Sequence, residues 1–173
     1  MRREVRFAGF GGQGVILAAL ILGRAISVHT EMHATMTQSY GPESRGGSCE
    51  ADVVVGDIEI DTPVVTSPDV LVLLSQEAAT KNRENARAAS VLLTDADLVR
   101  LDGELAAKAI ARPFTRTADG LGRRIVANMV MLGAFTHASG VVPREAMEAA
   151  ISESVKPNTR ELNLRAFDAG MRL

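Results

Sequence analysis

The chain of 173 residues contains no tryptophan and a single cysteine, Cys49, and aromatic residues make up only 3% of it. One cysteine excludes an intramolecular disulfide, and it excludes an iron–sulfur cluster or a cysteine zinc site held by this chain alone. We expect Cys49 to be a small, buried, apolar residue. The apolar run from Val15 to Leu22 is too short to cross a bilayer, so the sequence predicts a cytoplasmic protein.

Charge is also nearly balanced, with a formal net charge of −2. This gives no reason to expect nucleic acid or a membrane surface as a partner. The three histidines, His29, His33 and His137, do not form a metal-ligand spacing with a third carboxylate, so we expect no metal site. A mass of 18.4 kDa fits one domain, and we expect that domain to span residues 1–173.

Short apolar runs alternate with segments of helical periodicity. Residues 70–74 are a continuous apolar run of the kind found in strands covered on both faces, and residues 90–94 repeat that strand pattern. Residues 48–55 read as a strand, and the turn after them predicts a hairpin with residues 58–60 as its return arm. The pattern predicts an α/β fold, a single three-layer domain with a mostly parallel sheet, helices on both faces and one antiparallel hairpin.

Later segments are read in the same way. We expect a strand over residues 106–114 and helices over 121–138, 143–155 and 160–171. In the first of these helices, Ile125, Met129, Leu132 and Phe135 are expected to face inward. Asn128, on the same helix, is expected to be a buried amide satisfied by internal hydrogen bonds.

A glycine turn, Gly9-Phe10-Gly11-Gly12-Gln13-Gly14, follows the first apolar strand and precedes a helix. It matches the loose pattern G-x-G-x-x-G, and Glu31 falls about twenty residues further on, where a ribose-binding acid is sought. This supports a nucleotide or phosphate site, because the N–H groups of a helix start favour negative charge. Close helix–sheet packing or a subunit contact are the alternatives.

A second segment, Ser39-Tyr40-Gly41-Pro42-Glu43-Ser44-Arg45-Gly46-Gly47, carries more than turn chemistry. Its glycines and proline fit a loop, but a turn does not require Glu43 and Arg45 between them. One interpretation is that Arg45 presents its guanidinium group to a carboxylate or phosphate. The other is a solvated surface loop in which Glu43 and Arg45 pair locally.

These motifs, in this order, together with Leu121-Gly122, Asn128-Met129-Val130-Met131-Leu132-Gly133-Ala134 and a C-terminal Asn163-Leu164, resemble the gamma subunit of 2-oxoacid:ferredoxin oxidoreductases. The resemblance covers nearly the whole chain. One departure is Arg123, which stands where the family usually has an asparagine.

The resemblance implies a reaction in which a 2-oxoacid, coenzyme A and oxidised ferredoxin give acyl-CoA, carbon dioxide and reduced ferredoxin. Thiamine diphosphate with Mg²⁺ and the iron–sulfur clusters would belong to alpha, beta and delta partners, because this chain lacks the thiamine signature and the cysteines. Its own contribution would be to complete the catalytic site or its interface, and it would be inactive alone and able to form a homodimer.

The resemblance also implies the residues that face substrate, coenzyme A or a partner subunit. Arg45 and Glu43 are the catalytic candidates. The binding candidates are Gly9, Gly11, Gly12, Gln13, Gly14, Tyr40, Gly41, Pro42, Ser44, Arg45, Gly46 and Gly47. Two other classes stay open: a stand-alone dinucleotide-binding oxidoreductase and a non-catalytic assembly module.

Overall fold

A computed structural model of the protein describes residues 1–42 and 47–173. Its six-stranded sheet has the order β2-β3-β1-β4-β5-β6. The strands are β1 Arg2–Phe10, β2 His33–Tyr40, β3 Ser48–Gly56, β4 Val70–Leu73, β5 Val91–Asp95 and β6 Ile110–Arg112. The helices are α1 Val15–His29, α2 Gln76–Lys81, α3 Arg83–Ala88, α4 Gly103–Lys108, α5 Phe114–Gly120, α6 Ala127–Ser139, α7 Arg144–Ser154 and α8 Arg160–Met171.

The sheet is mostly parallel, as the sequence predicts. β1, β4, β5 and β6 are parallel neighbours, and β3 runs antiparallel to both β1 and β2. The two faces of β4 show why its sequence is continuously apolar. Val70 and Val72 pack into the core cluster on one face, while Leu71 and Leu73 pack into the cluster on the other. A strand buried on both faces has no polar side to alternate with.

Helices cover both faces of the sheet. Helices α1, α6, α7 and α8 supply the larger core cluster, which includes the buried Phe7, Phe135 and Phe167. Helices α2, α3 and α4 supply the smaller one. No helix in the described part of the chain combines the length and apolar character needed to cross a bilayer.

The predicted hairpin partner is wrong. Strand β3 continues to Gly56, and residues 58–60 form no strand. Both edges of β3 are already occupied, by β1 on one side and β2 on the other, so no edge is left for a return arm. The antiparallel hairpin is formed instead by β2 and β3, which are consecutive in the chain.

The predicted helix over residues 121–138 is also wrong at its start. Gly122 adopts φ +91°, which interrupts helical geometry, and a 3₁₀ turn, Arg124–Val126, comes before α6. Ile125 therefore points outward and is 75% exposed, while Met129, Leu132 and Phe135 are buried as expected.

One further prediction is wrong and another is confirmed. Residues 106–114 contain the end of α4 and the short strand β6 rather than one strand. The helix predicted over residues 160–171 is observed as α8, with the bounds Arg160–Met171.

Candidate functional site

The glycine turn and the Tyr40 segment meet at the carboxyl end of β1. The Gly11 N–H donates to the Gly47 carbonyl at 2.9 Å, and the Gly41 N–H donates to the Ser48 carbonyl at 2.7 Å. β3 brings them together, because its first residues pair with the ends of β1 and β2. Glu43, Ser44, Arg45 and Gly46 lie outside the described residues.

Gln13 bridges two strand ends. Its Oε1 accepts from the Phe10 N–H at 2.7 Å, and its Nε2 donates to the Leu74 carbonyl at 2.7 Å. A Cβ atom on Gly9 would lie 2.5 Å from Gln13 Oε1, which explains the glycine at that position. Each end of the amide thus makes one hydrogen bond within the protein, and Gln13 fixes the shape of the turn.

Gly14 is the N-cap of α1 and lies against Asn128 on α6. Its backbone is left-handed, with φ 76°, and a Cβ there would lie 2.8 Å from Asn128 Cγ. A side chain is therefore excluded both by conformation and by space. Asn128 is buried as expected, at 5% exposure. No fully buried side-chain nitrogen or oxygen atom in the described part of the chain lacks a hydrogen-bond partner.

Two cavities open on either side of this junction. The larger, about 640 Å³, is mainly apolar and is lined by residues that include Phe10, Tyr40, Cys49 and Ile125. The smaller, about 400 Å³, lies beside Gln13 and Leu74 at the ends of β1 and β4. Gly12, Ile125 and Asn128 line both cavities, so these three residues lie between them. The sequence motif contained Asn128, but its spacing gave no sign of two cavities.

Positive and apolar groups surround the larger cavity. Arg123 and Lys156 are among the residues that line it. Two large side chains at its edge are exposed to solvent: the aromatic Tyr40 is 62% exposed, and the aliphatic Ile125 is 75% exposed. Large exposed apolar side chains grouped at one cavity mark a surface suited to binding. Arg123 and Lys156 add positive charge to this surface.

Cys49 is buried and 3% exposed, as predicted. Burial raises the pKa of its thiol, and the charge of the neighbouring Glu50 raises it further. The thiol stays protonated at neutral pH, and a protonated thiol is a poor nucleophile. Cys49 therefore contributes shape and apolar surface to the larger cavity.

A charged cluster lies on the α2 side of the same strands. Burial opposes ionisation of Glu50, but a hydrogen bond from Asn82 at 2.9 Å and the charges of Lys81 and Arg6 outweigh it, so the pKa of Glu50 lies below its usual value. Asp52 accepts two hydrogen bonds from Arg6, each 2.7 Å long. These pairs join β1, β3 and α2 beneath the site.

The topology separates Glu31 from the glycine turn. His33 pairs with Gly56, and Gly56 pairs with Arg2, so the start of β2 lies beside the start of β1. β1 has 9 residues, which at about 3.3 Å each places Glu31 roughly 25–30 Å from the turn. β3 also lies between β1 and β2. Glu31 is not placed to bind a ribose of a nucleotide on this turn.

The three histidines do not form a metal-binding cluster with other described residues. His29 contacts Glu153 at 3.2 Å on the outside of α1. Across residues 1–42 and 47–173, no group of three histidine, cysteine or acidic side chains is arranged to hold a metal ion.

An open, mostly parallel sheet covered by helices on both faces, with a glycine turn and two cavities at the carboxyl end of its central strands, defines a doubly wound α/β domain. A family model described as pyruvate ferredoxin/flavodoxin oxidoreductase matches residues 4–173, and the chain belongs to this family.

Individual relatives support this family membership. The 2-oxoglutarate synthase subunit KorC of Methanothermobacter marburgensis is 49% identical over 181 residues, covering 100% of this chain and 97% of that protein. The same subunit of Methanocaldococcus jannaschii is 48% identical over 173 residues, covering 98% of this chain and 92% of that protein. The crystal structure of the keto/oxoacid ferredoxin oxidoreductase gamma subunit from Geobacter sulfurreducens matches with a TM-score of 0.86 and 38% identity, covering 99% of this chain and 95% of that one. The predicted resemblance to gamma subunits is confirmed.

Proposed function

We propose that this chain completes the catalytic site of a multisubunit, thiamine-diphosphate-dependent 2-oxoacid:ferredoxin oxidoreductase. The enzyme would convert a 2-oxoacid, coenzyme A and oxidised ferredoxin to acyl-CoA, carbon dioxide and reduced ferredoxin. Family membership over residues 4–173 carries the proposal. Thiamine diphosphate supplies the carbon chemistry when bound. In a cytoplasmic complex, alpha, beta and delta partners would hold it, with Mg²⁺ and the clusters, since this chain has one cysteine.

The carboxyl edge of β1 is the surface that we propose faces the catalytic partner. Support comes from Tyr40 and Ile125, whose exposed side chains border the apolar cavity of about 640 Å³. Burying such side chains against a protein partner stabilises an interface. The residues proposed to line this contact, or to touch substrate or coenzyme A, are Gly9, Gly11, Gly12, Gln13, Gly14, Tyr40, Gly41, Pro42, Ser44, Arg45, Gly46 and Gly47.

Arg45 and Glu43 are the proposed polar contacts of this edge. Two glycines flank this segment: the Gly41 N–H donates to the Ser48 carbonyl, and the Gly47 carbonyl accepts from the Gly11 N–H. An arginine between these two glycines would present its guanidinium group to a carboxylate or phosphate as the partner subunit closes over the reacting groups. Glu43 would orient that arginine.

We further propose 2-oxoglutarate as the oxoacid. The two relatives described above, at 49% and 48% identity, are both 2-oxoglutarate synthase subunits. The test is purification of the tagged chain from its host without oxygen, followed by identification of the bound subunits. Viologen reduction dependent on coenzyme A is then compared among 2-oxoglutarate, pyruvate, 2-ketoisovalerate and indolepyruvate. A higher kcat/KM for another oxoacid contradicts the substrate assignment while leaving the subunit role intact.

Arg45→Ala in the reconstituted complex tests the catalytic contribution. Loss of a charged hydrogen bond to a ligand predicts a fall in kcat/KM of about tenfold to a hundredfold. Arg165→Ala, at an exposed arginine on α8, is the matched control and should have no effect. Unchanged turnover and Michaelis constants for Arg45→Ala would eliminate the catalytic role.

The other two functions give different results in the same experiments. A non-catalytic assembly module predicts that Arg45→Ala weakens subunit association without changing turnover. A stand-alone dinucleotide-binding oxidoreductase predicts that the chain purifies without partners and retains a nucleotide.

A further inference from the structure

Strand β2 forms one open edge of the sheet and lacks the features that usually protect such an edge. It pairs with β3 along its whole length of 8 residues without a bulge, and residues 34–40 contain no charged residue and no proline. The opposite edge strand, β6, is only 3 residues long, contains Arg112 and is followed by Pro113. Short length, charge and proline hinder pairing of an edge with another chain. Of the two edges, β6 is protected and β2 is not.

The backbone groups on the outer side of β2 follow from its pairing with β3. The Gly41 N–H donates to the Ser48 carbonyl, so the odd-numbered residues of β2 share hydrogen bonds with β3. The even-numbered residues direct their N–H and C=O groups outward, and none of these groups has a hydrogen-bond partner among the described residues. They belong to Ala34, Met36, Gln38 and Tyr40. A row of donors and acceptors on an extended edge is a template for a further strand.

We propose that β2 pairs antiparallel with β2 of a second copy of this chain, which joins the two sheets across a two-fold axis. Full overlap of residues 34–40 places Thr37 opposite its own copy and brings the outward-directed residues opposite one another. Ala34 then lies opposite Tyr40, and Met36 opposite Gln38. Each of these pairs exchanges two N–H···O hydrogen bonds.

The side chains of β2 fit this self-pairing. A two-fold contact brings like charges together, and residues 34–40 carry none. The small Ala34 leaves room for the ring of Tyr40, which is 62% exposed in the single chain. On the other face of the strand, Thr35 lies opposite Ser39, and such hydroxyl pairs are favourable across strands. Because the strand has no charge with which to recognise a charged edge, a second copy is the occupant that it fits.

The pairing leaves the carboxyl edge of β1 accessible. β1 and β2 each run antiparallel to β3, so they point in the same direction. Antiparallel pairing of two β2 strands therefore directs the two carboxyl edges to opposite ends of the joined sheet, where each copy can meet its own catalytic partner. The dimer does not depend on the proposed catalytic role. A monomeric chain would overturn the dimer and leave the subunit role untouched.

The first test is the mass of the full chain in solution, measured by sedimentation equilibrium. The expected mass is twice the 18.4 kDa of one chain. Gln38→Pro removes an outward N–H without removing a hydrogen bond to β3, so the mass should fall to that of one chain while circular dichroism stays native. A monomeric wild type overturns the proposal, and so does a folded Gln38→Pro that stays dimeric.

Thr37→Cys tests the register and keeps the proposal testable if the proline variant does not fold. Opposed residues of a pair that shares no hydrogen bond have Cα atoms about 4.5 Å apart, a separation that a disulfide can span. Oxidised glutathione should therefore crosslink Thr37→Cys chains into dimers on a non-reducing gel.

Arg165→Cys, at an exposed position on α8, is the matched control for this crosslinking. Its thiols meet only by diffusion, so its crosslinking should be at least about tenfold slower. The native Cys49 is buried and should form no crosslink in either variant. Equal crosslinking rates for Thr37→Cys and Arg165→Cys would refute the pairing of β2, even if the chain is dimeric.

Discussion

Helices α6 and α8 approach each other backbone to backbone at Gly133 and Gly170. A Cβ on Gly133 would lie 2.7 Å from the Met171 nitrogen and closer still to the Phe167 carbonyl oxygen. A Cβ on Gly170 would lie 2.7 Å from the Val130 carbonyl carbon. These are main-chain atoms, so neither can rotate away as a flexible side chain does, and an alanine at either position must push the two helices apart.

The expected loss of stability follows from two opposing effects. Overpacking that separates a buried interface costs about 3 kcal/mol. Alanine also gains about 1 kcal/mol over glycine inside a helix, which leaves a net loss of about 2 kcal/mol for each substitution. Once one alanine has separated the helices, the second meets less resistance. The double variant should therefore lose less than the sum of the two single losses.

Urea unfolding of the isolated chain measures these free energies. Gly23→Ala is the control, because Gly23 lies within α1 and a Cβ there meets nothing within 4 Å. That substitution should stabilise the protein by about 0.5–1 kcal/mol. If Gly133→Ala is as stable as Gly23→Ala, the reasoning that close helix packing requires these glycines is refuted.

Two further perturbations test the foundations of the site. Gln13→Leu leaves the Phe10 N–H and the Leu74 carbonyl without their partner, so the unfolding free energy should fall by about 2–4 kcal/mol. The control is Gln38→Ala, at an exposed glutamine on β2, which should change the unfolding free energy by less than about 0.5 kcal/mol. Equal effects of the two substitutions would contradict the bridging role of Gln13. Since the folded state lowers the pKa of Glu50, its ionised form stabilises the protein above about pH 4.3, and this contribution disappears as the pH falls through the folded pKa. The stability difference between the wild type and Glu50→Gln should accordingly shrink on acidification, and a difference that is independent of pH in urea unfolding would contradict it.

Local sequence patterns predicted the parts of the fold that depend on local chemistry. The doubly buried strand at residues 70–74 follows from its continuous apolar run, and the helix at residues 160–171 follows from the helix-start signal before it. Both elements are observed. The helix over residues 121–138 was predicted to begin too early, because periodicity does not register the left-handed backbone of Gly122 that separates α5 from α6. Local sequence patterns did not predict the pairing of β3. The turn after Gly56 indicates a hairpin, but β1 and β2 occupy both edges of β3.

For the site, the sequence by itself determined that two uncommon segments exist, that one follows an apolar strand and precedes a helix, and that the chain cannot hold a cluster through its single cysteine. Only the tertiary structure decided what those segments meet. The reversed strand β3 joins the glycine turn to Gly47, and it separates β1 from β2, so that Glu31 lies at the far end of the sheet. The contact between Gly14 and Asn128 joins residues more than a hundred positions apart in the sequence. No local pattern encodes such contacts, because they arise from the packing of whole elements across the sheet.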